Sequence, residues 1–86
     1  MDTFNGWTNW YTWTCYNWIT NDFATYEKWK RYCRGLSINE IATALRDDMT
    51  ATAYNMTGET GLFCDLLQGA ISDINFNEIA ISLKGD

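Results

Sequence analysis

Apolar residues recur along this chain at spacings of three and four and hardly ever in strict alternation, the signature of amphipathic helices. Five helical segments follow from the pattern and from the polar residues that start them. Asn5-Gly6 marks a turn. Asn9 then caps a first helix from Trp10 to about Ile19, and Asn21 or Asp22 caps a second carrying Phe23, Tyr26, Trp29 and Cys33. Gly35 ends that helix, with Arg31 and Arg34 near its C-terminal dipole.

Ser37-Ile38-Asn39-Glu40 has the spacing of a capping box and opens a third helix with the stripe Ile38, Ile41, Ala42, Leu45 and Met49. Its end is open, because Thr50-Ala51-Thr52-Ala53 is weak in propensity while Tyr54 can still pack. Residues 57–61 read as a loop, and Thr60 is placed to cap a fourth helix. That helix has the cleanest stripe of all: Leu62, Phe63, Leu66, Leu67, Ala70, Ile71 and Ile74. Asn75-Phe76-Asn77-Glu78 repeats the capping logic before a short fifth helix with Ile79, Ala80 and Leu83. The expected fold is an all-α, single-domain bundle of about five helices, with an aromatic-rich core in which Trp10, Trp13 and Trp18 pack on the fourth helix and Leu66 and Ile71 are buried.

The first helix complicates that picture. At about 100° per residue, Trp10, Trp18 and Tyr11 lie at roughly 0°, 80° and 100°, Cys15 and Ile19 at roughly 140° and 180°, and Tyr16 and Trp13 at roughly 240° and 300°. Large apolar groups thus point all round. Such a helix is either the central strut of the core or has one face in the core and another on a partner. Residues 1–32 hold all five tryptophans and eleven of the fourteen aromatic residues. If part of that ring is exposed, Trp7 and Tyr11 are candidate interface anchors, since tryptophan and tyrosine are enriched at hot spots.

Charge is segregated in the opposite sense. The chain carries −5 overall. Residues 1–34 set Lys28, Lys30, Arg31 and Arg34 against Asp2, Asp22 and Glu27, a net +1; residues 35–86 set Arg46 and Lys84 against eight carboxylates, a net −6. Glu40, Asp47, Asp48 and Glu59 are candidates for an acidic face that meets a basic partner, in the manner of a DNA mimic; the plainer reading is a solvated surface. The acidic balance argues against direct DNA binding, which needs a basic footprint. Lys28, Lys30, Arg31 and Arg34 are the candidate phosphate contacts, against the plainer reading of dipole complement and solvation.

The chain has no histidine and no proline. Without histidine, Cys15, Cys33, Cys64, Ser72 and Ser82 lack the usual base that activates a nucleophile. No metal-ligand spacing and no glycine-rich phosphate loop occurs. The reading is of a non-enzymatic protein with no cofactor. Three cysteines without paired spacing suggest reduced thiols in a cytoplasm, and no stretch is long and apolar enough to cross a membrane.

The opening Asn5-Gly6-Trp7-Thr8-Asn9-Trp10-Tyr11-Thr12-Trp13 resembles the N-G-W-x-N-x-x-T-W signature of a family of short bacteriophage and mobile-element proteins. The likeness continues in Trp18-Ile19 and Asn21-Asp22. It resumes at Gly61-Leu62-Phe63, Asp65-Leu66-Leu67 and Asn75-Phe76 with Ile79-Ala80. It covers about half the chain, at both ends, and leaves Lys28–Met56 unmatched. It implies a setting and no catalytic residues: proteins of this kind often act on host machinery, including restriction and CRISPR nucleases. The expectation is therefore a binding protein of the host cytoplasm that inhibits or modulates a host defence nuclease complex, of anti-CRISPR or anti-restriction type. The rival expectations are a nucleic-acid-associated accessory protein using residues 28–34, and a self-associating helical protein that forms a homodimer.

Overall fold

A computed structural model describes residues 3–85; Asp2 and Asp86, counted in the charge balance, lie outside the described residues. The described chain is helical, with α1 over Trp10–Asn21, α2 over Phe23–Tyr32, α3 over Ile38–Thr57, α4 over Leu62–Ser72 and α5 over Phe76–Gly85. The starts follow the capping chemistry. The Asn9 side chain accepts from Thr12 N at 2.9 Å, and Asp22 from Thr25 N at 3.2 Å. Ser37 and Glu40 form a complete capping box, each side chain accepting from the other's backbone N–H, at 3.2 Å and 2.9 Å. Asp22 alone separates α1 from α2, so the chain turns there without a loop.

Two boundaries differ from the sequence pattern. The threonine-rich stretch after Met49 does not end α3, which runs to Thr57. Thr52 and Thr57 return their hydroxyls to the carbonyls of Asp48 and Ala53, each at 2.8 Å, which lets them sit in a helix. Thr60 does not cap α4. Gly61 holds the cap position at φ 123°, with no side-chain hydrogen bond.

The packing centre is also elsewhere than expected. The core is mainly aliphatic: Ile19, Ile41, Leu45, Ile71, Ile79 and Leu83, with Phe76 and Trp29 as its buried aromatics. The most enclosed element is α5, where Phe76, Ile79, Ala80 and Leu83 are at most 1% exposed. It lies chiefly along α3, with α1 and α2 on its other sides, while α4 packs on α3. An aromatic-rich core is therefore not what forms. Indole rings are large, and a domain of this size has too little interior to enclose them all.

The turn at Asn5-Gly6 has both residues at positive φ, 48° and 85°, as a tight type I′ hairpin turn requires. It is closed by Phe4 N to Trp7 O at 2.9 Å and Trp7 N to Phe4 O at 2.7 Å. The hairpin folds back on α1, stacking Phe4 on Trp13 and Trp7 on Tyr16, with centroids 4.9 and 4.6 Å apart.

Candidate functional site

The residues of the opening signature do structural work that the sequence pattern does not reveal. Asn9 caps α1 through Oδ1 and reaches across through Nδ2 to donate to Asp73 O, at the end of α4. Thr12 is fully buried; its hydroxyl donates to Asn9 Oδ1 at 2.7 Å and accepts from Asn75 N at 2.9 Å. Asn75 caps α5 and donates its amide to Thr8 Oγ1 at 3.0 Å, and Thr8 N donates to Glu78 Oε1 at 3.0 Å. Thr8, Asn9 and Thr12 thus latch the start of α1 to the α4–α5 corner through Asp73, Asn75 and Glu78. Of these groups the Thr12 hydroxyl is the buried one, and it would be poorly solvated without its partners.

Beyond the latch, α1 and α4 form the walls of a groove of about 730 Å³ floored by α3 and bounded by α2. Trp10, Tyr11, Thr14 and Trp18 come from α1, Leu67, Ala70 and Ile71 from α4, and Ile74 from the turn after it. Leu45, Met49, Ala53 and Met56 come from α3. The correction to the expected packing lies here. Trp10 is 50% exposed and Trp18 75% exposed, so neither packs on α4, and Trp13 meets Phe4 instead. Leu66, expected in the core, is 59% exposed, and Leu62 and Phe63 are exposed beside it; of the stripe on α4 only Ile71 is buried, with Ala70 and Ile74 half-buried. The physical reason is geometric. Apolar residues cover an arc of roughly 180° on α4, wider than the single contact with α3 can cover. On α1 the arc holding Trp10, Trp18 and Tyr11 faces out, while Thr12, Cys15 and Ile19 face in. The first helix is half core and half surface.

The acidic candidates are not brought together. Glu40 and Asp47 border a shallow hollow with Tyr32, Leu36, Asn39, Thr43 and Ala44, whereas Asp48 lies on the rim of the α1–α4 groove. Glu59 is exposed in the loop after α3 and lines neither. Adjacent residues diverge by about 100° on a helix, which separates Asp47 from Asp48. The Glu40 carboxyl is held below its usual range by its hydrogen bonds within the capping box.

The basic candidates are partly committed to the fold. Lys30 Nζ donates to Leu83 O at 2.8 Å, near the C-terminal end of α5 where a cation is favoured. Lys28 sits over the Trp29 ring at 5.1 Å. Arg31 and Arg34 are exposed. Of the aromatic candidates, Tyr11 lines the groove, while Trp7 is half-buried against Tyr16 and does not. Trp10 and Trp18, expected to pack on the fourth helix, and Leu67, expected on its apolar stripe, are groove residues.

The three cysteines are buried and unpaired. Cys15 lies in the groove floor with its Sγ 3.4 Å from Met49 Sδ, and burial pushes its thiol up to about 11. Burial also raises the Cys33 thiol, partly offset by the nearby charges of Lys30 and Lys84. Neither is an activated nucleophile, which requires the opposite shift. Among the described residues, no group of three or more Cys, Asp or Glu is placed to hold a metal ion, and no helix is long and apolar enough to cross a membrane. No protein-family model, curated protein or solved structure matches the chain.

Proposed function

We propose that the chain is a non-enzymatic binding protein that inhibits or modulates a host protein, with a defence nuclease or its complex as the target class, and that the groove between α1 and α4 is its working surface. One observation carries the binding role: Trp10, Tyr11 and Trp18 stand in water on a helix whose opposite face is core. At roughly 150–250 Å² per aromatic side chain, their exposed fractions leave about 250–400 Å² of aromatic surface in water. Apolar patches of that order are often the functional surface of a small monomer. The target class comes from the resemblance of residues 5–13 to proteins of phages and mobile elements.

The reading moves the binding surface away from the carboxylates at Glu40, Asp47 and Glu59 and keeps Asp48 at its rim. DNA mimicry would need those charges on one face, but Glu40 and Asp47 share one hollow, Asp48 borders the other and Glu59 lines neither. The nucleic-acid reading is weakened by Lys30, whose ammonium donates to the Leu83 carbonyl of α5.

The test is affinity capture from host cells with the wild-type chain and with Trp18→Glu, followed by an activity assay on the captured protein. The reading predicts a host protein retained by the wild type and lost by the variant, and a nuclease activity that falls when the chain is added. Identical captures, or a captured nuclease indifferent to the chain, would refute it.

A further inference from the structure

We infer that the occupant of the α1–α4 groove is a basic amphipathic helix of the partner protein, an inference that rests on the groove being the working surface. Three properties of the groove select that chemistry. The first is charge. Among the described residues its lining includes two carboxylates, Asp22 and Asp48, and no lysine or arginine. The two cations of residues 35–86 are engaged elsewhere. Arg46 lies over the Phe76 ring at 5.5 Å, and Lys84 donates to Leu36 O at 2.7 Å. The groove is therefore an apolar trough with an acidic rim, on a chain of net charge −5.

The second property is the backbone. Helices form the walls and floor, so their N–H and C=O groups are already paired and no strand edge is offered. An extended peptide would lose water from its own backbone and gain nothing in return, whereas a helix brings its hydrogen bonds with it. On α3 the lining runs from Leu45 to Met56, about 17 Å at 1.5 Å per residue, room for about three turns of a partner helix. Met49 and Met56 on that floor can adjust to unlike side chains.

The third property is openness. Trp18 and Met56 at the lip are 75% and 76% exposed. Small-molecule sites enclose most of their ligand, and this lip does not. A second copy of the chain would place Asp22 and Asp48 near like charges and bring together two chains of −5 each. A cationic helix reverses the sign of that term.

The experiment uses the full chain and two synthetic peptides of about sixteen residues, roughly four turns of helix. Both carry leucines at i, i+4, i+7 and i+11; in one the exposed positions are lysine and in the other glutamate. Binding is read by tryptophan fluorescence and by calorimetry, and the mass of the chain alone by sedimentation. The lysine peptide is expected to bind at least ~10-fold tighter than the glutamate peptide and to weaken as salt is raised. Trp18→Ala should weaken it by ~10-fold or more, as loss of an aromatic anchor does. Asp48→Lys should weaken it by several-fold and Asp47→Lys by less than ~2-fold, since only the first lies on the rim. Circular dichroism confirms folding of each variant. Equal binding of both peptides, no binding of the lysine peptide, or indifference to Trp18→Ala would overturn the inference. So would a dimer that dissociates on Trp18→Ala, which would give the groove to a second copy. A failure here leaves the lysate capture with Trp18→Glu to decide separately whether the groove is the working surface.

Discussion

The two sides of α3 use their hydrophobic residues differently. Toward α5 the contact is closed: Ile41, Leu45, Phe76, Ile79 and Leu83 exclude water almost completely. Toward α4 and α1 it is open, and the large apolar side chains Trp10, Trp18, Leu62, Phe63 and Leu66 remain half or more in water. Hydrophobicity alone does not separate the two regions. The closed side is made of Phe76 and branched aliphatics on a helix with one narrow apolar stripe, which α3, α1 and α2 cover between them. The open side is made of bulky groups spread over arcs too wide for the helices available. Burial on the first side stabilises the fold, and the apolar surface left on the second remains for association.

The sharpest way to break that comparison is to truncate the closed side. Phe76→Ala should cost about 3–5 kcal/mol and Ile79→Ala about 2–5 kcal/mol. Total stability for a chain of this length is roughly 4–13 kcal/mol, so either variant should be near unfolding at moderate temperature. Urea titration followed by circular dichroism checks this, and near-wild-type midpoints would remove α5 from the centre of the core.

The latch comes next. Thr12→Val keeps the side-chain volume and leaves Asn75 N–H facing a methyl group, a loss of about 1–3 kcal/mol. Because the latch joins α1 to the α4–α5 corner, amide hydrogen exchange should quicken at the start of α5 more than in the middle of α3. Uniform change, or none, would show that the network is incidental.

On the open side the same chemistry should matter little for folding. Leu66→Ala is expected to cost under about 1 kcal/mol, as for other exposed substitutions. A loss comparable to that of Ile79→Ala in parallel melts would mean that α4 is covered on both faces.

How much of this was legible in the residues depends on how local the cause is. The caps at Asn9, Asp22, Ser37 and Asn75 were readable because a side chain and an N–H three residues on settle them. The latch was not, since Thr12 and Asn75 are 63 positions apart and nothing in either segment announces the other. The exposure of Leu66 was hidden for a related reason. Periodicity shows that α4 has an apolar face, but only the number and placement of neighbours decides whether the face is covered. For α1 the wheel already posed the choice between strut and half-exposed helix, and the arc at Trp10, Tyr11 and Trp18 is the exposed one. The acidic candidates were read as one patch from their density in the sequence; helix geometry keeps Glu40 and Asp47 on one face but turns Asp48 toward the groove, and Glu59 lies beyond the helix.

The smallest effects are in pH dependence. Glu40 has a lowered pKa in the folded chain, so its contribution is present above the unfolded carboxyl value and is lost as pH falls through the folded one. Glu40→Gln should flatten that part of the acid limb. Cys15 behaves oppositely. Its thiol is raised from 9.0 to about 11 by burial, so the unfolded chain ionises first and stability declines as pH climbs from 9.0 toward about 11. Cys15→Ala should remove that decline, measured as melting temperature against pH.

The division between a closed core and an open groove is tested most directly by nuclear magnetic resonance of the isotope-labelled chain titrated with the leucine–lysine peptide. The account predicts that the Trp10 and Trp18 indole N–H signals and the Met56 and Leu67 methyl signals move with a common saturation curve. Signals of Phe76, Ile79 and Leu83 on the closed side should stay in place. Shifts centred on α5, or spread evenly over both sides, would contradict it.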